Sequence, residues 1–453
     1  MKLTIIGGGG FRVPQVYQAV AAQDAPVRLD EVALYDVDVG RLEVIHRIIT
    51  ELAQQLPHAP RLTVTTDLDE ALTGADFIFA AVRIGGLRGR IGDERVALDL
   101  GVLGQETTGP GGLAYALRTV PVMTALAHRI AQLAPEAWTI NFTNPAGIVT
   151  EAMRKVLGDR VVGICDTPIG LMRRTSAAVA AASGSPLETV QPGSFDYVGL
   201  NHLGWMRSVA VEGIDLLPTL LADDSLLDGI EEARLMGHDW VRALGALPNE
   251  YLYYYYFTRE ATAKIRAAKH TRGEFLQQEQ AAFYAEVGHA GCGSLQTWLD
   301  VQHRRESSYM AESRPDGAAG ARRMDDVQGG YQQVALDLMA AIANDRPATM
   351  ILNIANAGLV PQLPDEAVIE VGCVVTAEGV KPWPIAPVGG HMLGLMTSVK
   401  AVEQLTIEAA LTRSSELAWK AFALHPLVDS IAVGRALLDG YRQVHPGLAR
   451  ALD

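Results

Sequence analysis

Cys165 closes the apolar run Val161-Val-Gly-Ile-Cys165 and is followed by Asp166 and Thr167. His202 follows a second run, in Gly199-Leu-Asn-His-Leu-Gly-Trp205. A thiolate and an imidazole at strand ends could share a divalent metal, and two protein ligands would leave positions open for substrate oxygens. The alternative is a buried structural cysteine and a hydrogen-bonded histidine, since the 37-residue separation matches no compact zinc motif. The segment Asn249-Glu-Tyr-Leu-Tyr-Tyr-Tyr-Tyr-Phe257 is tyrosine-dense in a chain with 6% aromatics. Such rings mostly pack in cores, yet one beside a cation or metal can act as a base. Arg83, Arg88, Arg90 and Arg95 gather after an apolar run, and Arg272 lies in His270-Thr-Arg-Gly-Glu274. Guanidinium groups suit bidentate phosphate binding, so these arginines predict an anion pocket, against the plain alternative of solvated surface charge. Asn141-Phe-Thr-Asn-Pro-Ala-Gly147 offers amides for a nicotinamide or a sugar hydroxyl, or simply turn chemistry.

These residues need elements to position them. Lys2 to Ile6 reads as an apolar strand, Gly7 to Gly10 as a tight turn, and Val13, Val16, Tyr17 and Val20 as one face of a helix with Pro14 in its first turn. Strand, glycine turn and helix let backbone N–H groups approach a pyrophosphate. The G-x-G-x-x-G pattern is incomplete, because Arg12 stands in place of the third glycine. The next strand, Glu31 to Asp36, ends in a carboxylate suited to ribose hydroxyls. Asp36 and Asp38 would repel a 2′-phosphate, which favours NAD over NADP. The expected cofactor site comprises Gly7, Gly8, Gly9, Phe11, Arg12, Asp36 and Asn144.

Further strands are expected at Arg61–Thr65, Phe77–Val82, Trp138–Phe142 and Val161–Cys165. Asp67 is placed to cap a helix over Leu68–Leu72. A glycine- and arginine-rich loop over 83–90 would precede a helix near 93–100, and a polar loop over 104–112 would precede a helix over 113–133. This βαβα rhythm predicts a Rossmann-like, doubly wound parallel sheet over 1–166, with its loops gathered at the carboxyl edge. Residues 167–453 read as a mixed α+β domain for substrate, metal and oligomer contacts. Strands are expected there over 195–201, 205–211, 349–354 and 367–371, helices over 216–244 and 393–413, and an exposed loop around 318–323.

With 453 residues, two or three domains or two closely packed lobes are expected. A net charge of −14 argues against general nucleic-acid or anionic-membrane binding. Three widely spaced cysteines, Cys165, Cys292 and Cys373, suggest a reducing compartment, and no apolar run is long enough for a membrane span. A cytoplasmic enzyme for a small molecule is the expectation.

Taken together, the glycine turn, Gly104-Gln-Glu-Thr-Thr-Gly-Pro-Gly-Gly112, Asn141-Phe-Thr-Asn-Pro145, Gly163-Ile-Cys-Asp166, Gly199-Leu-Asn-His202, Pro248-Asn-Glu-Tyr251 and His270-Thr-Arg272 resemble the NAD- and metal-dependent glycoside hydrolases of family four. That family stands outside the usual two-carboxylate scheme. The resemblance implies a lactate/malate-dehydrogenase-like fold, tightly held NAD and a divalent metal such as Mn²⁺. It implies oxidation at C3 of the sugar, loss of the C2 proton, elimination of the aglycone, addition of water and return of the hydride. By the same resemblance Cys165 and His202 are metal ligands, and Tyr251 is the base, with Tyr254 as fallback. Asp166 matches a general acid of some members. Asn144 and Arg90 match sugar- and phosphate-contacting positions, and Arg272 matches an arginine that could reach a phosphate across a homodimer or homotetramer interface.

The implied substrates are phosphorylated disaccharides or glucosides. Gly85-Gly-Leu-Arg-Gly-Arg90 looks most like the 6-phospho-β-glucosidase branch, whereas Cys165-Asp166 and His270-Thr-Arg272 look closer to the 6-phospho-α branch. The β reading is the leading one, with 6-phospho-α-glucosides or α-galactosides as alternatives. A lactate- or malate-type dehydrogenase is the rival outside the family.

Overall fold

The computed structural model describes residues 1–184, 195–289, 293–307 and 330–452. Cys292 and the loop expected at 318–323 lie outside them. The N-terminal strands are β1 Lys2–Ile6, β2 Glu31–Tyr35, β3 Arg61–Thr65, β4 Phe77–Ala80, β5 Trp138–Asn141 and β6 Val161–Gly163. They pair in parallel in the order β3-β2-β1-β4-β5-β6. β4, a continuous apolar strand, and β5, which carries Thr139 and Asn141, are both buried along their whole length, as strands covered by helices on both faces are. The covering helices include α1 Val13–Val20, α2 Val39–Ala53, α3 Leu68–Leu72, α4 Gly86–Asp99, α5 Pro110–Leu133, α6 Ala146–Leu157 and α7 Asp166–Ser183. Asp38 and Asp67 cap α2 and α3 through their carboxylates.

The sheet continues past β6. The later strands are β7 Phe195–Leu200, β8 Leu203–Val211, β9 Ile214–Asp215, β10 Leu247–Pro248, β11 Ala348–Ala355, β12 Val368–Thr376 and β13 Gly379–Pro382. From β6 the order runs β11-β12-β7-β8-β10, now antiparallel. One sheet thus joins the Rossmann-like half to the mixed half, and Asn353 of β11 registers against Gly163 of β6. One apolar core likewise runs from Leu3 and Ile5 through Trp205 and Tyr254 to Ile369 and Met396.

The stretch expected as a loop over 83–90 is mostly helix, because α4 starts at Gly86 rather than near residue 93. Gly86 supplies a positive φ of +59° at the helix start, and Gly89 and Gly92 serve close packing. A Cβ on Gly92 would lie 2.8 Å from the His445 ring, and one on Gly89 would lie 3.3 Å from the Arg118 guanidinium. No helix among the described residues is long and apolar enough to cross a membrane.

Candidate active site

Loops after β1, β2, β4, β5 and β6 open on one edge of the sheet and line a cavity of about 1270 Å³. It sits where strand order reverses between β1 and β4, the position expected for a ligand on an open α/β sheet. Gly7 adopts φ +95°, and a Cβ there would lie 2.5 Å from the Ala81 carbonyl oxygen. Gly8 has no room either, with Leu34 2.8 Å away. Gly7, Phe11, Arg12 and Asp36 line the cavity, and Gly8 and Gly9 complete the turn against Leu34 and Arg41. The Asp36 carboxylate accepts from the Gly9 N–H at 2.9 Å and the Asp38 N–H at 3.1 Å. It retains acceptor capacity, so the turn, the side-chain-uncapped start of α1 and this carboxylate fit a dinucleotide.

Cys165 lies at the N-cap of α7 and His202 in the tight turn between β7 and β8, at φ +65°. Both line the same cavity, with 4% and 7% of their surface exposed. Burial holds the His202 imidazole down at about 4, so it stays neutral with a lone pair to give. Burial, then Glu370 and Asp166, push the Cys165 thiol well above its usual value. A bound cation reverses that balance, because it stabilises the thiolate directly. The donor set therefore fits a divalent metal with open positions, and no cluster of three or more protein ligands exists among the described residues.

Tyr251 sits in a short 3-10 turn, Glu250–Leu252, whose cap Asn249 accepts from the Tyr251 N–H at 3.0 Å. Its ring lies flat on His202, with centroids 3.7 Å apart and planes within 3°. Asp166, Asn144, Tyr254, Arg90 and Arg272 line the same cavity. Asn141, by contrast, is fully buried and ties its own loop through Thr143 and Thr150. In that Asn-Pro segment the turn role falls to Asn141, and Asn144 faces the cavity.

The arginine cluster divides. Arg88 is exposed and Arg95 pairs with Glu274 at 2.6 Å, both away from the cavity. Arg83 and Arg90 line it and share Glu106, which Arg90 meets at 2.8 Å. Arg90 also pairs with Glu94 at 2.7 Å. Burial would raise the Glu106 carboxyl, yet the Arg83 and Arg90 guanidiniums outweigh it and hold it at about 2. Arg305 was missed by sequence reasoning. Burial, followed by the charges of Arg12, Arg272 and Arg90, pushes its guanidinium well below the ordinary arginine value. Positive charge from four distant segments thus meets in one wall of the cavity. Arg272 reaches that wall within its own chain and donates to the Arg305 carbonyl at 3.0 Å.

The chain belongs to family 4 of the glycosyl hydrolases. The model described as "Family 4 glycosyl hydrolase" matches residues 2–181, and "Family 4 glycosyl hydrolase C-terminal domain" matches 197–428. It is therefore a glycoside hydrolase, and the family resemblance of its motifs is borne out over the whole chain. Among its relatives, a Bacillus subtilis protein named "Probable 6-phospho-beta-glucosidase" is 30% identical, covering 98% of this chain and 96% of its own. A "Maltose-6'-phosphate glucosidase" of the same organism is also 30% identical, covering 100% and 97%. The 6-phospho-beta glucosidase of Thermotoga maritima, solved with manganese, NAD⁺ and glucose-6-phosphate, superposes with a TM-score of 0.79 at 26% identity, over 98% of each chain. Malate dehydrogenase from Plasmodium falciparum shares the fold alone, with a TM-score of 0.50 at 12% identity over 91% of this chain and 99% of its own. The dehydrogenase-like architecture expected from the sequence is therefore present, on a hydrolase.

Proposed function

We propose that this chain hydrolyses 6-phospho-β-glucosides, with NAD and a divalent metal such as Mn²⁺ bound in the cavity. The observation that carries the reading is the convergence of Cys165, His202, Tyr251, Asp166, Arg90 and Arg272 on the cavity lined by the opening glycine turn. The two Bacillus relatives and the ligands of the Thermotoga structure support a phosphorylated glucoside.

When bound, NAD supplies a reversible hydride acceptor for the sugar, and the metal supplies a positive charge for its oxygens. Gly7, Phe11, Arg12 and Asp36 hold the dinucleotide, Gly8 and Gly9 give the turn its shape, and Asn144 borders the reacting end. Asp36 and Asp38 disfavour a 2′-phosphate; Arg41 also lines the cavity, but its guanidinium packs on the Tyr284 ring, 4.1 Å from the ring centre, and donates to the Tyr284 hydroxyl at 2.9 Å. Cys165 and His202 hold the metal. Tyr251 takes the C2 proton, and stacking on His202 holds its ring in place. Arg90 is electrostatically coupled to Tyr251 and stabilises negative charge on the phenol oxygen. Asp166 donates a proton to the departing glycosidic oxygen. Arg90 and Arg272 hold the phosphate, in a wall shared with Arg12 and Arg305.

The β linkage rests on the resemblance of Gly85–Arg90. The Cys165-Asp166 pair and the maltose-6'-phosphate relative favour an α-linked reading as the second choice. Four chromogenic glucosides, α and β, each with and without a 6-phosphate, separate these with NAD, Mn²⁺ and a reductant present. Release from the 6-phospho-β substrate is expected. Release from the α partner instead moves the linkage, release only from unphosphorylated substrates removes the phosphate assignment, and stoichiometric NADH without aglycone release overturns the hydrolytic reading.

A further inference from the structure

Behind the cavity floor lies a polar network that the reaction outlined above does not use. Tyr197, Asn249, Asn353 and Glu370 have none of their surface exposed. They come from β7, the segment after β10, β11 and β12, so only the closed sheet brings them together. Room is made for the network by glycine. A Cβ on Gly204 would lie 2.3 Å from the Tyr197 hydroxyl, and one on Gly163 would lie 2.9 Å from the Asn353 Cβ.

The donor directions are fixed from both ends. At one end the Asn249 Oδ1 accepts from the Tyr251 N–H at 3.0 Å. Its amide nitrogen must then face the other way, and it donates to the Thr167 hydroxyl at 3.1 Å and the Tyr197 hydroxyl at 3.4 Å. At the other end the Tyr197 hydroxyl donates to Glu370 at 2.8 Å. Glu370 also accepts from Asn353 at 2.9 Å and Asn201 at 3.4 Å, so three donors converge on a carboxyl that burial pushes up to about 7. Tyr197 has spent its one proton on Glu370 and accepts from Asn249. Thr167 likewise accepts from Asn249, and its own proton has the Cys165 sulfur within 3.2 Å. The Thr167 backbone N–H is directed at the same sulfur. Asn201, the residue before His202, accepts from the Ala146 N–H at 3.2 Å and so ties in the Asn144-Pro145 loop.

We infer that Glu370, Tyr197 and Asn249 form a buried positioning relay that sets the Thr167 hydroxyl as a donor to the Cys165 sulfur and anchors the Tyr251 and His202 loops to the same point. The sulfur then receives two hydrogen bonds from Thr167, and the Asp166 carboxylate stands 4.0 Å away as acceptor for the thiol proton that a bound cation would displace. None of the relay residues touches substrate. They act through Cys165, His202 and Tyr251, as partners behind a metal ligand do when they fix its orientation and charge. The inference rests on the assignment of Cys165 as a metal ligand, and the test separates the two.

The probe is Co²⁺ added to the NAD-loaded full-length enzyme, followed by the near-ultraviolet thiolate-to-cobalt absorption band. Mn²⁺ affinity is measured alongside from the resonance signal of the free ion. The variants are Tyr197→Phe, Thr167→Val and Thr167→Ser, each checked by circular dichroism for native structure. With the fold intact, Tyr197→Phe and Thr167→Val should weaken Mn²⁺ binding by on the order of tenfold or more and shift or deplete the band. Thr167→Ser keeps the hydroxyl and should restore both. Should Tyr197→Phe not fold, the Thr167 pair decides alone, because Thr167 sits at the cavity edge. A normal band with Mn²⁺ affinity within twofold of the parent in both Tyr197→Phe and Thr167→Val overturns the relay and leaves the metal site standing. Absence of the band in the parent enzyme overturns the metal assignment itself, and the relay with it.

Discussion

Glu106 is shared by Arg83 and Arg90 at the cavity wall, and Glu106→Gln removes its charge without changing its shape. The Glu106 side chain is 16% exposed, so solvent screens the interaction only weakly. A carboxyl held at about 2, against an ordinary 4.5, stabilises the fold at neutral pH by about 3 kcal/mol. Loss of one partner from a buried ion pair costs about the same, roughly 3–5 kcal/mol, because the remaining charge stays buried. The sign follows from the depressed folded value. The contribution is complete above the unfolded value and is lost as pH falls toward the folded one. Near pH 3 only about 1.4 kcal/mol of it remains. Urea unfolding of parent and variant at pH 7 and pH 3 measures this, with equal denaturant slopes as the control. The expected result is a large gap at pH 7 that narrows at pH 3. Equal stabilities at pH 7, or a gap that widens on acidification, would refute the assignment of Glu106 as the charge partner of the arginine wall.

Three further perturbations follow from the same geometry. Cys165→Ser should remove metal-dependent turnover while NAD binding, followed by fluorescence titration, stays within a few-fold of the parent; unchanged activity without added metal would count against the ligand assignment. Tyr251→Phe should lower kcat by roughly 10²–10⁴-fold with little change in KM, since a base acts in the transition state and not in binding. His425 is buried, held at about 3, and bonded through Nδ1 to the Leu427 N–H. Its folded value lies below the unfolded one near 6.5, so it subtracts stability as pH falls through that window. His425→Gln should therefore flatten the fall of the thermal midpoint between pH 7 and pH 4, and an unchanged slope would contradict this.

The Rossmann-like half was legible because its strands carry their own signal. Val161–Gly163 and Phe77–Ala80 are apolar runs punctuated by glycine or aspartate, and Asp67 caps the helix expected of it. Helix α4 was not legible over its first turns. Gly85, Gly86, Gly89 and Gly92 weaken helix propensity; Gly85 and Gly86 take positive φ at the helix start, and only tertiary neighbours, Arg118 and His445, explain Gly89 and Gly92. The site residues were read by type and motif, and the cavity brings Cys165, His202, Tyr251, Asp166, Asn144, Arg90 and Arg272 together. Glu106 stood inside a motif already singled out, yet its pairing with Arg83 and Arg90 across the loop was invisible. Arg305, Tyr197 and Glu370 gave no local signal at all, because their roles depend on partners that folding alone brings near.

The proposed function requires that one cavity remove a proton from C2 of a phosphorylated sugar in a cycle that returns its hydride. Hydrolysis of a 6-phospho-β-glucoside in D₂O, with NAD and Mn²⁺ present, tests it by nuclear magnetic resonance of the glucose-6-phosphate released. Deuterium at C2 of the product with no net rise in NADH absorbance is the predicted result. Product formed with C2 wholly protonated would contradict the account.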